Sequence, residues 1–395
     1  MKSALKHRAP ILLLVFLLAL DAGCAGHRPA RSHAELMVSR TAYDARYEQM
    51  SSDLVQRMLE VAKRRCDAHP GAPAVVDYLV ISGGGDWGAF GAGFLKGWSH
   101  VQGSLAKPQF DAVTGVSTGA LIAPFAFLGD EQSIDFIESL YRHPKPDWVK
   151  IRRPLYFLPS NQSFATVPGL EREVRQRIDG AMMRRVAEQS RRRRMLLVNT
   201  TDLDDGGMWV WDVGAEAERA VADGNLDRVH RILLASAGIP GVFPFREIDG
   251  LMYVDGGVTG NILYGGRLRE EQSLPAAWAA TYPTLPIPKV RIWVILNNQL
   301  RPQPQVTAPT WPAVVTRSLS LGTRAATLTS IRHLFAQAEI SRLKRGGEFE
   351  VRIAAVPDDF IPPKEGTFVK ETMNALADLG ERLGADPASW RTEPP

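Results

Sequence analysis

Phe110-Asp111-Ala112-Val113-Thr114-Gly115-Val116-Ser117-Thr118-Gly119-Ala120-Leu121-Ile122-Ala123-Pro124 is the stretch whose reading decides the fold. An apolar run leads into Gly-x-Ser-x-Gly, and a second apolar run rich in helix formers leaves it. That order predicts a strand, a sharp turn and a helix, with Ser117 at the apex. Such a turn lifts the hydroxyl clear of the backbone, and Gly115 and Gly119, two residues to either side, tolerate the crowding. The helix that follows points its free N–H groups at any negative charge forming on the serine. Ser117 is therefore the candidate nucleophile. Gly and Ser are also common turn residues, so the pentapeptide needs partners elsewhere in the chain.

Upstream, residues 74–82 form a β-branched run of the kind found in a strand covered on both faces. Gly83-Gly84-Gly85-Asp86-Trp87-Gly88 follows, and residues 89–101 read as a helix. A glycine cluster between strand and helix turns several backbone N–H groups toward one point, which is an anion nest. The cluster also matches G-x-G-x-x-G, but a dinucleotide site wants an acidic residue at the end of the second strand. That strand ends in Thr114-Gly115-Val116-Ser117, without a carboxylate. The competing role is an oxyanion hole, in which each N–H donor typically contributes about 2.7–4 kcal/mol to the transition state.

Ser117 also needs a base. Beyond Asp255 the sole histidine is His333, set mid-helix among Ile331, Leu334 and Phe335, where it reads as a surface or structural residue. Asp255 is better placed: it follows the short strand 251–254 and is flanked by Gly256 and Gly257, which allow close backbone approach. A carboxylate within reach of Ser117 can take its proton directly and return it to the leaving group. Aspartate is a weak base, so this requires surroundings that raise its pKa.

The glycine run 83–88, the pentapeptide 115–119, Ala235-Ser236-Ala237-Gly238-Ile239-Pro240-Gly241-Val242-Phe243-Pro244 and Asp255-Gly256-Gly257 occur in that order. Together they resemble the patatin-like phospholipase family, over about residues 75–262. The resemblance implies a three-layer α/β/α sandwich with a mainly parallel central sheet, a Ser-Asp dyad without histidine, and lipid acyl hydrolysis. Carried across motif by motif, Ser117 is the nucleophile, Asp255 the proton acceptor, and Gly83, Gly84 and Gly85 supply the oxyanion donors, with Gly88, Gly115, Gly119, Gly256 and Gly257 as motif glycines. The sequence departs from the family at Trp87, where Arg or Lys is usual. A Trp offers a single N–H donor there and no charge. The segment 235–244 reads as structural, its prolines fixing a bend beside the site.

The remaining features frame this reading. A chain of 395 residues, 45% apolar and 23% charged, is that of an ordinary globular protein, and a net charge of +4 fits an anionic surface without demanding one. No zinc-finger spacing or aromatic and basic ladder points to nucleic acid, and neither a metal nor a cofactor is expected. The N-terminus pairs Lys2, Lys6 and Arg8 with an apolar run at 11–20, followed by Asp21-Ala22-Gly23-Cys24. These are the parts of a secretory signal. Small residues before Cys24 resemble the bacterial lipoprotein box, with Asp21 standing where an aliphatic residue is usual. A lipidated Cys24 would hold the protein at a membrane of the bacterial cell envelope, facing the periplasm; plain secretion is the alternative.

Strands alternate with helices throughout, as in a doubly covered parallel sheet. The expected division is a signal peptide at 1–23, a linker and helical appendage at 24–73, a catalytic core at 74–300, and C-terminal helices and a strand at 301–395 packed on the same domain. Arg191 to Arg194 read as a solvated charge run, Trp209 and Trp211 as packing on one strand face, and Cys66 as inert. The expected substrate is a membrane lipid or phospholipid. Two alternatives stay open: an acyltransferase using the same acyl-enzyme, and an inactive lipid-binding lipoprotein.

Overall fold

In the computed structural model the described residues are 28, 30–152, 161–265, 273–345 and 347–395. The predicted signal at 1–23 and Cys24 lie outside them. Helix α1 (His33–Ala68) begins with a capping box, the Ser32 hydroxyl accepting from Glu35 N–H and the Glu35 carboxylate accepting from Ser32 N–H. Then come β1 (Val75–Ile81), α2 (Gly88–Trp98), β2 (Ala112–Val116), α3 (Thr118–Leu128) and α4 (Glu131–Arg142). A short antiparallel pair, β3 (Lys150–Ile151) and β4 (Ala165–Thr166), precedes α5 (Pro168–Arg177) and α6 (Gly180–Arg191). The hairpin β5 (Met195–Asp202) and β6 (Gly207–Asp212) leads to α7 (Val213–Asp223), α8 (Asp227–Ser236), β7 (Arg246–Ile248) and β8 (Leu251–Asp255). The chain closes with α9 (Leu274–Thr281), β9 (Lys289–Gln299), α10 (Trp311–Arg345), β10 (Phe349–Val356) and α11 (Lys370–Gly384).

Among the described residues the main sheet has eight strands in the order β10-β9-β1-β2-β5-β8-β7, with β6 paired to β5. β10, β9, β1, β2 and β5 run parallel, while β6, β8 and β7 add antiparallel pairing. Phe90, Phe94, Ile122, Phe127, Val186, Ile232 and Leu376 cover one face. Val55, Leu59, Trp278, Ile331 and Leu334 cover the other. The result is a helix–sheet–helix sandwich, and at roughly 25 cal/mol per Å² of buried apolar surface these two cores supply most of the driving force for folding. The helix expected ahead of the core contributes to one outer layer through Val55, Leu59, Ala62 and Cys66.

The short pair β3 and β4, helices α7 and α9 and strand β7 went unread in the sequence, and for α7 and β7 the reasons are identifiable. Helix α7 starts with no intervening breaker, because Asp212 ends β6 and also caps the helix, accepting from Ala215 N–H at 3.0 Å. Strand β7 is three residues long and is set by its pairing to β8. The arginine run needs correction at its last member. Arg194 is buried, donates to the carbonyls of Phe110 and Phe127, and lies over the Phe127 ring, so it ties the start of β5 to the approach to β2 and to helix α3. Trp211 is buried and donates to the Thr200 hydroxyl at 2.8 Å, and Trp209 stacks on Tyr43, so this pair packs the interior.

Candidate active site

Ser117 joins β2 to α3 at φ 55°, ψ −123°, in the left-handed half of backbone space. A non-glycine residue held there costs about 1–3 kcal/mol, which the surroundings must impose. Close packing imposes it. A Cβ on Gly115 would sit 2.3 Å from the Gly119 carbonyl oxygen, and one on Gly119 would sit 2.3 Å from that of Ile81. The Ser117 N–H donates to Ser236 Oγ at 3.0 Å, and the Ser236 hydroxyl donates to the Asn199 carbonyl at 2.6 Å, clamping the turn to β5.

Asp255 ends β8 opposite Thr200 of β5. Its N–H donates to the Gly238 carbonyl at 2.9 Å, and its carbonyl accepts from the Thr201 hydroxyl at 3.0 Å. Gly257 N–H donates to Oδ1 at 2.7 Å, while the Asn199 side chain donates to the Gly256 and Gly260 carbonyls, both at 2.9 Å. Burial pushes the Asp255 carboxyl up to about 6, opposed by the Ser117 hydroxyl and the Gly257 N–H. Among the described residues buried Oδ2 has no hydrogen-bond partner. The Ser117 hydroxyl is near enough to favour the carboxylate. Ser117 and Asp255 are thus brought together at the carboxyl end of the sheet, where ligands bind in open α/β folds.

The predicted donor set is narrowed. Gly83 N–H already donates to the Asn261 carbonyl at 3.3 Å, so Gly83 is corrected from a donor to a packing position against Ser117. Among the described residues the N–H groups of Gly84 and Gly85 have no protein acceptor. Asn297 holds their loop: its N–H and Nδ2 donate to Ser82 Oγ and carbonyl at 2.9 and 2.8 Å, and its Oδ1 accepts from Gly91 N–H at 2.9 Å. A Cβ on Gly84 would meet the Asn297 carbonyl at 2.2 Å. Gly88 begins α2 against the Thr118 side chain.

A cavity with about 710 Å³ of empty space, its open mouth included, runs from Ser117 and Gly85 between α3, α4 and α5. Leu121, Phe125, Ile137, Val174, Ile178 and Phe243 make its walls almost wholly apolar, and the one carboxylate there, Glu173, is paired with Lys145 and Arg177. Phe368, far along the chain, closes one side. It has φ 58°, and its N–H donates to Asp86 Oδ2 at 2.9 Å. Trp87 is half-buried and meets the Phe360 ring edge-on at 5.7 Å, so it packs the loop on this same C-terminal segment.

His333 lies on the exposed side of α10, where Nδ1 bonds the Tyr264 hydroxyl at 2.8 Å. Buried His230 bonds the Ile178 carbonyl through Nε2 at 2.8 Å, and burial lowers its pKa. Neither lines the cavity beside Ser117. Sequence reasoning missed Ser236, Asn199, Asn261 and Asn297 as site residues. Ser236 and Gly238 stood inside a motif read as a bend, and they turn out to hold the backbones of Ser117 and Asp255. The asparagines carried no signal, since their partners lie far off in sequence.

Residues 79–265 match the family model described as patatin-like phospholipase. Among solved structures the chain is similar to VipD from Legionella pneumophila, with 12% identity over 82% of this chain and 68% of that one and a TM-score of 0.34. No curated protein matches it in sequence.

Proposed function

Since the chain carries a patatin-like phospholipase domain at residues 79–265, we propose that it is a serine lipid acyl hydrolase acting through Ser117 and Asp255. The observation that carries this reading is the serine at a strained apex, faced by a buried carboxylate without a cation and opening on an apolar cavity of acyl-chain character. Asp255, raised to about 6, is ionised at neutral pH and remains basic enough to accept a proton. In the first step it takes the Ser117 proton as Oγ attacks the ester carbonyl; the contact tightens around substrate, as catalytic hydrogen bonds commonly do. The N–H groups of Gly84 and Gly85, with the N-terminus of α3 behind them, stabilise the oxyanion. Asp255 then protonates the departing alcohol, leaving an acyl ester on Ser117. In the second step Asp255 removes a proton from water, the hydroxide attacks that ester, and the proton returns to Ser117 as the fatty acid leaves. Replacing water by an acceptor alcohol would give acyl transfer from the same intermediate.

The test is a fluorophosphonate probe together with fatty-acid release from phospholipid. The wild type is expected to label at Ser117 and to release fatty acid, and Ser117→Ala to lose both with its fold intact. Unchanged turnover in Ser117→Ala sinks the proposal. Attachment through a lipidated Cys24 to a bacterial envelope membrane belongs to the same reading, and mass spectrometry of the mature N-terminus tests it.

A further inference from the structure

Among the described residues the first four turns of α10 are left without cover. Ile331, Leu334 and Ala338 in the later turns pack on the sheet, whereas Trp311 is 76% exposed, Val315 47% and Leu319 64%. These three residues recur every fourth position, so they share one stripe, and Val314 extends it. The half-buried side of these turns is the opposite one, carrying Ala313, Arg317 and Arg324. The apolar stripe therefore faces away from the body. Soluble proteins seldom leave such patches free of a partner.

Its position is set by bonds at the catalytic end of the sheet. The Thr327 hydroxyl accepts from Asn261 Nδ2 at 3.2 Å, and Arg324 donates to Asn298 Oδ1 at 2.9 Å, beside the Asn297 that holds the glycine loop. From Thr327 back to Trp311 the helix rises about 24 Å. It thus projects past the end of the sheet where Ser117 sits. The charge of this part of the chain is one-sided. No Asp or Glu occurs in residues 272–338, while Arg301, Arg317 and Arg324 border the projecting turns. Among the described residues Arg317 and Arg324 form no ion pair and bond neutral acceptors; Asp358, which accepts from Arg301 N–H at 3.0 Å and also interacts electrostatically with Arg324, is the carboxylate at the base of the segment.

We infer that the projecting half of α10 is a docking surface for an anionic phospholipid bilayer, setting Trp311, Val315 and Leu319 into the interface with the arginines at headgroup level. An exposed apolar stripe with a Trp at its tip, on helical turns whose other side carries Arg and no carboxylate, is the chemistry of helices that lie on membranes. This deepens the lipid-hydrolase reading by stating how the substrate is presented, but membrane binding can be read without turnover.

The experiment is flotation of the full chain, in a Cys24→Ser background so that no acyl anchor contributes, with vesicles of phosphatidylcholine alone or mixed with phosphatidylglycerol. Anionic vesicles are expected to carry the protein, with less at high salt. Val315→Asp/Leu319→Asp, two exposed positions, should float about tenfold less and lose activity on vesicles, with p-nitrophenyl butyrate turnover unchanged. The milder Trp311→Phe should remove a blue shift in tryptophan emission that accompanies vesicle binding. Equal flotation of the double variant, or a wild type that ignores anionic vesicles, overturns the inference. So does a wild-type dimer that the double variant splits without altering flotation, because a second copy would then be what covers the stripe. A protein that floats yet releases no fatty acid would sink the hydrolase reading and leave this one standing.

Discussion

The two ends of the parallel sheet treat buried carboxylates in opposite ways. At the amino end, Asp77 in β1 receives two bonds from Arg291, both at 2.7 Å, and a third from Trp293 Nε1 at 2.8 Å. Asp111, just before β2, is gripped by Arg65 at 2.6 and 2.7 Å, and this guanidinium opposes the rise that burial causes in its carboxyl. At the carboxyl end Asp255 has no cation among the described residues, receives a bond from one backbone N–H, and rises to about 6. Paired charges fasten strands. An unpaired one, held by backbone geometry alone, is available for proton transfer and costs stability.

The strongest way to break this comparison is to neutralise one member of each kind. Asp255→Asn should reduce ester hydrolysis by about three orders of magnitude while stabilising the protein at pH 7 by about 1–3 kcal/mol in urea melts. The sign follows from the folded-state rise from 3.8 to about 6. The native state binds this proton more tightly than the unfolded chain, so stability falls as pH rises through that window and the full cost is present at pH 7. Asp77→Asn strands the Arg291 guanidinium and should destabilise by about 3 kcal/mol. Shifts of the same sign at both positions would erase the distinction between the two ends.

The pH dependence sharpens the same contrast. On a soluble ester, kcat/KM should climb with pH and level off above an apparent pKa of about 6, because Asp255 must be ionised to act as base. A rate already flat at pH 5 would mean that its carboxylate is not the limiting base. Ser236→Ala removes the acceptor for Ser117 N–H and should lower kcat about tenfold while costing about 1–3 kcal/mol, with KM little changed. The smallest effect is expected from His333→Ala, which should leave turnover of the soluble ester within about twofold of wild type, since His333 lies on the exposed side of α10 away from Ser117. A loss of several orders of magnitude there would move the base from Asp255 to the histidine.

Local pattern carried a large share of the fold. β-branched runs, glycine punctuation and the Gly-x-Ser-x-Gly turn placed β1, β2, α3, β5 and β8 close to their observed bounds, because strand and helix periodicity is written in neighbouring residues. Four motifs in chain order also indicated the family domain now matched at residues 79–265. Contacts between distant residues left no such trace. That Gly83 spends its N–H on Asn261, that Ser236 and Gly238 hold the backbones of Ser117 and Asp255, and that Phe368 closes the cavity all depend on side chains and carbonyls meeting across the sheet. The sequence by itself determined which residue types could form a strained serine turn and a glycine-flanked carboxylate. That they share one buried site was settled by tertiary packing, because the desolvation that raises the Asp255 carboxyl comes from contacts assembled across the whole sheet.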